Sequence, residues 1–288
     1  MDNKLPLIKT CAIEDFSMEY LHYPSNGPDL LLLHATGFFP WLWHPIAAVL
    51  SDSYNIIVPY YCDHREGEPE DGGVLWSILA EDMDKFCASL NIKNPFAVGH
   101  SMGGAVLTLC AALHDFRPKS MVLIEPIFLP PAAYTAKITV EQHPLASKSI
   151  NRRNGWDNID EAYSYFKSKK LFSRWDNEML DLYIKHGMSV AEDGKLKLLI
   201  HPRKEASLFM GVNAIDPWHL LPKVECPMFV VEGDFSDNKT FIDYKKVTGI
   251  FPNGSYYKVK DAGHLLPMEK PHVTSELIKE FFEGNLQK

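Results

Sequence analysis

Two hydrophobic patterns alternate along the chain. Short apolar runs bounded by turn residues mark strands, and apolar residues recurring every three or four positions mark helices. Leu30–Leu33 is uninterrupted and flanked by Pro28-Asp29 and Gly37, the pattern of a strand covered on both faces. Met18–Tyr23, Asn55–Tyr60, Phe96–Val98 and Ser120–Ile124 read as further strands. Between them, Trp43–Leu50 is helical with Pro45 in its first turn, and Val74–Leu90 carries Leu75, Ile78, Leu79, Met83, Phe86 and Leu90 on one face. Met102–Leu113 is apolar and rich in small residues, a buried helix. The alternation stops near Ile127 and resumes after Leu221 with strand Met228–Val231, helix Lys239–Phe251, strand Ser255–Val259 and the amphipathic helix Thr274–Phe282. Strands separated by helices predict a mostly parallel sheet with helices on both faces. The middle stretch has irregular helical patterning, many Lys, Arg and Tyr residues, and Trp156, Trp175 and Trp218. Because the alternation resumes after it, it reads as an insertion into one domain.

Composition narrows the function classes. The 288 residues are 46% hydrophobic and 23% charged, which supplies a buried core. A net charge of −8 sets the chain against nucleic acid and against a polybasic membrane surface. Five cysteines, at 11, 62, 87, 110 and 226, form no C-x-x-C pair, which excludes zinc ribbons and thioredoxin-type motifs and fits reduced thiols. No apolar run is long enough to span a bilayer, the first residues lack the apolar core of a secretory signal, and Asn285–Lys288 is no peroxisomal tripeptide. The expectation is a cytoplasmic protein with no membrane or nucleic-acid partner. No dinucleotide fingerprint follows a strand and no metal-ligand spacing occurs, so neither cofactor nor metal is expected.

The chemistry centres on Gly99-His100-Ser101-Met102-Gly103, which follows an apolar strand and opens a helix. In that context G-x-S-x-G forces a sharp turn that holds the serine hydroxyl out at the carboxyl end of the sheet. A serine nucleophile needs a base, and of twelve histidines His264 follows the last strand on the same sheet edge, after Gly263. His100 points elsewhere as a neighbour of Ser101 and reads as structural. The oxyanion needs two donors: the Met102 N–H, and the Phe38 N–H from the loop His34-Ala35-Thr36-Gly37-Phe38-Phe39. His34 reads as a brace for that loop.

Together these residues resemble the α/β-hydrolase family over about two thirds of the chain, in the oxyanion loop, the elbow, and Gly263-His264 with Pro267, Glu269 and Pro271. Asp63-His64-Arg65 resembles the family's D-x-R-G-x-G segment, with Glu66 where glycine is usual. The resemblance implies an α/β-hydrolase fold with an eight-stranded, mostly parallel sheet. It divides the chain into a core of residues 1–126 and 223–288 and a helical cap of residues 127–222. It puts the triad acid in the loop after strand Met228–Val231, where Asp237 matches best. The alternative is Glu125, at the end of the preceding strand and 24 residues after Ser101, a placement similar to that of one group of haloalkane dehalogenases. A glutamate there is costly to bury without a partner.

A cap over the strand ends would wall off a mostly apolar pocket. Its expected lining is Phe128, Leu129, Tyr134, Trp156, Tyr163, Phe166 and Phe209, with His34, Phe38, Phe39 and Trp41 from below. The reading that follows is a cofactor-independent serine hydrolase acting on a small apolar ester-like substrate. A C–C bond hydrolase, thioesterase or lactonase would use the same triad, and a non-catalytic ligand sensor shares the fold. Oligomeric state, monomer or homodimer, is left open by the sequence.

Overall fold

The computed structural model describes residues 4–284; residues 1–3 and 285–288, including the C-terminal tripeptide read above, lie outside it. Among the described residues ten strands form: β1 (Leu7–Ile13), β2 (Phe16–Tyr23), β3 (Asp29–Leu33), β4 (Asn55–Pro59), β5 (Phe96–His100), β6 (Ser120–Ile124), β7 (Met188–Val190), β8 (Leu196–Leu198), β9 (Met228–Gly233) and β10 (Gly254–Val259). Eight of them make one sheet in the order β1-β2-β4-β3-β5-β6-β9-β10. Strand β2 pairs antiparallel with both neighbours, and every other pairing is parallel. The small hairpin β7–β8 lies apart from it.

The apolar runs behave as strands buried on both faces. Leu30 and Leu32 face one core, with helices His44–Leu50 and Pro271–Phe282. Leu31 and Leu33 face the other, with helices Trp76–Ser89 and Met102–Leu113. Strand β1 was not expected from the pattern. It is an edge strand in which only Cys11 and Ile13 are buried, so its apolar residues Leu7 and Ile8 lie in solvent and carry no periodic signal. The expected helix over 239–251 is shorter, a 3₁₀ turn at Asp237–Thr240 followed by Tyr244–Thr248.

Between β6 and β9 the chain builds a cap of short helices, Pro131–Thr135, Ala146–Ile150, Ile159–Lys167, Asn177–His186 and Pro202–Met210, with the hairpin β7–β8 between the last two. Two seams fix it to the core. In the first, the Val74 N–H donates to the Ser207 carbonyl (3.2 Å) and the Trp76 indole N–H donates to the Leu208 carbonyl (2.7 Å). This approach requires glycine: a Cβ on Gly211 would stand 1.7 Å from the Val74 carbonyl oxygen. In the second, the Arg174 guanidinium donates to Glu269 (2.8 Å), whose carboxylate also accepts the Gly263 N–H (2.8 Å). That seam ties the cap to the residue before His264.

The chain runs from β3 outward to β4, then crosses back to β5 on the opposite side of β3. The loops after β3 and β5 therefore diverge, which opens a crevice at their carboxyl ends, the usual binding position in such sheets. Among the described residues no helix is long and apolar enough to cross a membrane.

Gly211→Ala should destabilise the protein by about 1–3 kcal/mol, because the methyl group must displace backbone. Urea unfolding checks this; an unchanged midpoint would mean that the cap seam is looser than its geometry.

Candidate active site

The turn after β5 puts Ser101 at φ 55°, ψ −116°, a left-handed conformation that a side chain tolerates only under constraint. Its N–H donates to the Ile124 carbonyl of the neighbouring strand (2.9 Å), and its carbonyl accepts from Gly104 and Ala105 in the helix that follows. The flanking glycines are sterically required. A Cβ on Gly99 would meet the Gly103 carbonyl at 2.6 Å, and one on Gly103 would meet the Leu33 carbonyl oxygen at 2.5 Å.

Ser101 Oγ lies 3.1 Å from His264 Nε2. On the other side of the ring, His264 Nδ1 lies 3.2 Å from Glu125 Oε2. Glu125 is fully buried and itself left-handed, at φ 48°. Its Oε1 accepts the Gly233 N–H (2.8 Å) and its Oε2 accepts the Ser236 hydroxyl (2.6 Å). The Asn238 amide sits 2.9 Å from the same histidine nitrogen, so a proton on Nδ1 needs the amide oxygen turned to that side. The preference for Asp237 gives way here. Asp237 is exposed in the 3₁₀ turn and makes no side-chain hydrogen bond to His264, while Glu125 reaches the ring from inside the sheet.

Loop 34–38 forms a turn in which Gly37 (φ 76°) lets the Phe38 N–H close onto the Ala35 carbonyl (3.2 Å). The Phe38 N–H is therefore committed, contrary to its expected role as oxyanion donor. The Thr36 N–H has no acceptor among the described residues, and Thr36 lines the cavity beside Ser101. Gly37 itself was the sequence signal: glycine at the third position of a turn assigns the next N–H to that turn. The Met102 N–H opens its helix and lacks an intrahelical acceptor.

His34 braces the loop: its Nδ1–H donates to the Ala35 carbonyl (3.0 Å), and its own carbonyl accepts the Tyr61 hydroxyl (2.6 Å). Burial lowers its pKa to about 4. His100 donates Nε2–H to the His264 carbonyl (2.8 Å), and burial beside His264 holds it well below the usual histidine range.

Above Ser101 and His264 lies a cavity of about 590 Å³. Phe38, Leu129, Phe166 and Phe209 line it, as expected. His34, Phe39, Trp41, Phe128, Tyr134 and Trp156 do not, nor does Tyr163, whose ring lies 5.5 Å from the Lys167 ammonium. Each is engaged elsewhere. Phe39 packs on Tyr183, and Trp41 stacks on His186 at 3.7 Å. Phe128 lies against Phe251 under the sheet. The Tyr134 hydroxyl accepts the Leu129 N–H (2.9 Å). Trp156 is fully buried in the cap's own core with Tyr165 and Phe166. The cavity also has a polar cap wall that the sequence reading did not single out, including His143, Ser149 and Arg152.

The elbow serine, the histidine loop and the doubly covered parallel sheet define an α/β-hydrolase fold. Residues 30–277 match the Alpha/beta hydrolase family, and the chain belongs to it. It is similar to the abhydrolase domain-containing protein AKT2 of Alternaria alternata, at 25% identity over 65% of this chain and 82% of that one. It also resembles the AB hydrolase superfamily protein YfhM of Bacillus subtilis (strain 168), at 22% identity over 90% and 91%. Among solved structures, E-2-(acetamidomethylene)succinate hydrolase superposes with a TM-score of 0.79 at 18% identity over 96% of this chain and 99% of that one. A thermophilic esterase from Thermogutta terrifontis gives 0.70 at 20% identity over 98% and 100%. The protein is an α/β-hydrolase enzyme.

His34 and His100 are buried and held below the ordinary histidine pKa, so the unfolded chain binds more protons than the native one as pH falls below about 6.5. Their stabilising effect is full above that pH and is lost as pH falls toward the folded values, about 4 for His34. Each can add a slope of up to about 1.4 kcal/mol per pH unit. Thermal melts between these limits should show Tm dropping as the pH is lowered, and His34→Gln should flatten the curve.

Proposed function

We propose that this enzyme is a cofactor-independent serine hydrolase, carboxylesterase-like, that cleaves an ester or related acyl bond of a small, largely apolar substrate. The observation that carries the reading is the unbroken relay from Ser101 Oγ through both nitrogens of His264 to the buried Glu125, at the floor of a mainly apolar cavity. Ser101 attacks the substrate carbonyl while His264 Nε2 takes its proton. Glu125 fixes the tautomer with the proton on Nδ1 and stabilises the imidazolium. The Met102 and Thr36 N–H groups receive the oxyanion. His264 returns the proton to the leaving alcohol, then activates the water that releases the acyl group from Ser101. Thioesters and lactones pass through the same tetrahedral intermediate. Solved structures of similar fold include an esterase, a thioesterase domain and an enol-lactonase, which supports acyl transfer over other chemistry. We take residues 127–222 as the cap, with the rest as catalytic core. The five free cysteines fit a reducing compartment, and we assign the protein to the cytoplasm on that ground.

Ser101→Ala should abolish p-nitrophenyl butyrate turnover and labelling by a fluorophosphonate. Absence of both in the wild type would sink the hydrolase reading. Glu125→Gln should lower kcat by roughly 10³–10⁴-fold, the scale of losing the tautomer-fixing acid. Asp237→Asn should leave kcat/KM near the wild-type value. The reverse pattern in steady-state kinetics would return the acid to Asp237.

A further inference from the structure

We propose that the natural substrate carries a carboxylate as well as an apolar body, and that the cap wall of residues 143–152 receives it. This rests on the hydrolase reading above and names the substrate class of the same site. Most of the cavity is apolar, with Phe38, Leu129, Phe166, Phe172, Phe209 and Val212 in its lining. One cap segment breaks that pattern by contributing His143, Lys148, Ser149 and Arg152.

These four groups present donors. His143 Nδ1 accepts the N–H groups of Leu145 (3.2 Å) and Ala146 (3.1 Å), which leaves its proton on Nε2. Burial lowers its pKa and so favours this neutral form. His143 is 9% exposed and Ser149 7%, yet neither the Nε2–H nor the Ser149 hydroxyl has a partner among the described residues. Arg152 donates Nη1–H to Glu205 (2.7 Å) and Nη2–H to the Tyr183 hydroxyl (3.2 Å), which occupies two of its five N–H donors. Lys148 lies four residues before Arg152, is exposed, and makes no ion pair among the described residues. Two cations and two neutral donors thus share a wall whose one carboxylate is Glu205; Asp237 lines the cavity from the core side, and Lys169 adds a further cation from the cap.

In the free protein, water entering the cavity can serve these donors. A wholly apolar substrate that displaced the water would leave them unpaired, which costs binding energy. A carboxylate supplies acceptor oxygens to donors of this kind, and the planar guanidinium matches its geometry. Glu205 places this receptor near the chemistry, since a Cβ on Gly37 of the oxyanion loop would stand 2.4 Å from its Oε1.

The test compares p-nitrophenyl half-esters of dicarboxylic acids with neutral p-nitrophenyl esters of equal length. A second series, butyryl esters of hydroxybenzoates against their methyl esters, puts the anion on the leaving group. The wild type should favour one anionic series by about tenfold or more in kcat/KM, and higher ionic strength should shrink that preference. Lys148→Ala and Arg152→Lys should bring the ratio of anionic to neutral kcat/KM toward one, with thermal melts reporting whether each variant is folded. A wild-type ratio of one or less in both series overturns the proposal, as does a ratio that neither folded variant moves. Calorimetric binding of the uncleaved esters to Ser101→Ala reads the same preference without catalysis. If the hydrolase reading fails, tighter binding of the anionic ester there still supports the receptor, and equal or weaker binding overturns it.

Discussion

Glu125 is completely buried, and a buried carboxylate is tolerated only where its oxygens are hydrogen-bonded. Meeting that requirement organises the catalytic end of the molecule. One oxygen needs the backbone N–H of Gly233, at the end of β9. The other needs the Ser236 hydroxyl from the following loop and the ring of His264 from the loop after β10. Two chain segments, residues 233–236 and the loop that carries His264, must therefore converge on the end of β6. The backbone supports the same convergence: the Glu125 N–H donates to the Val231 carbonyl (2.9 Å), and the Phe235 N–H donates to the Ala262 carbonyl (2.8 Å). Removing the carboxylate would leave the Gly233 N–H and the Ser236 hydroxyl without their acceptor, so Glu125 serves the loops as well as the histidine.

The position of Ser101 depends on a second constraint, space. Ser101 is held in a left-handed conformation by bonds on both sides, its N–H to β6 and its carbonyl to the helix that follows. Gly99 and Gly103 allow the strand, the helix and the end of β3 to close around it. Because β3 and β5 are neighbours whose onward chains diverge, the oxyanion loop and the elbow meet at one crevice. The strain at Ser101 and the charge at Glu125 lie at the ends of adjacent parallel strands, and His264 is the group that bridges them.

Legibility in the sequence followed how local each cause is. The buried strands and the elbow are written in contiguous residues, so Leu30–Leu33, Gly99–Gly103 and His264 could be read directly. Strand β1 could not, because an edge strand with most side chains in solvent has no apolar periodicity. The acid was ambiguous because two carboxylates stand on loops that end at the same sheet edge, and only burial separates them: Glu125 is inside, Asp237 is exposed. The Phe38 N–H, read from the sequence as the second oxyanion donor, is consumed by the Ala35–Phe38 turn, a cost that Gly37 signals only when the turn is counted explicitly.

The cap shows why pocket residues resist prediction from residue type. A lid of short helices has little interior of its own, and small units need their largest side chains to build a core. Trp156, Phe166, Phe172, Trp175 and Tyr183 do this, with neighbouring ring centroids 4.7 to 5.7 Å apart. Of these five, only Phe166 and Phe172 also reach the cavity. Aromatic content in such a lid therefore measures what holds the lid together before it measures what the lid binds. The side chains left to distinguish one substrate from another are the polar ones that face the cavity, and the cap's contribution to these includes His143, Lys148, Ser149 and Arg152 from the one segment 143–152.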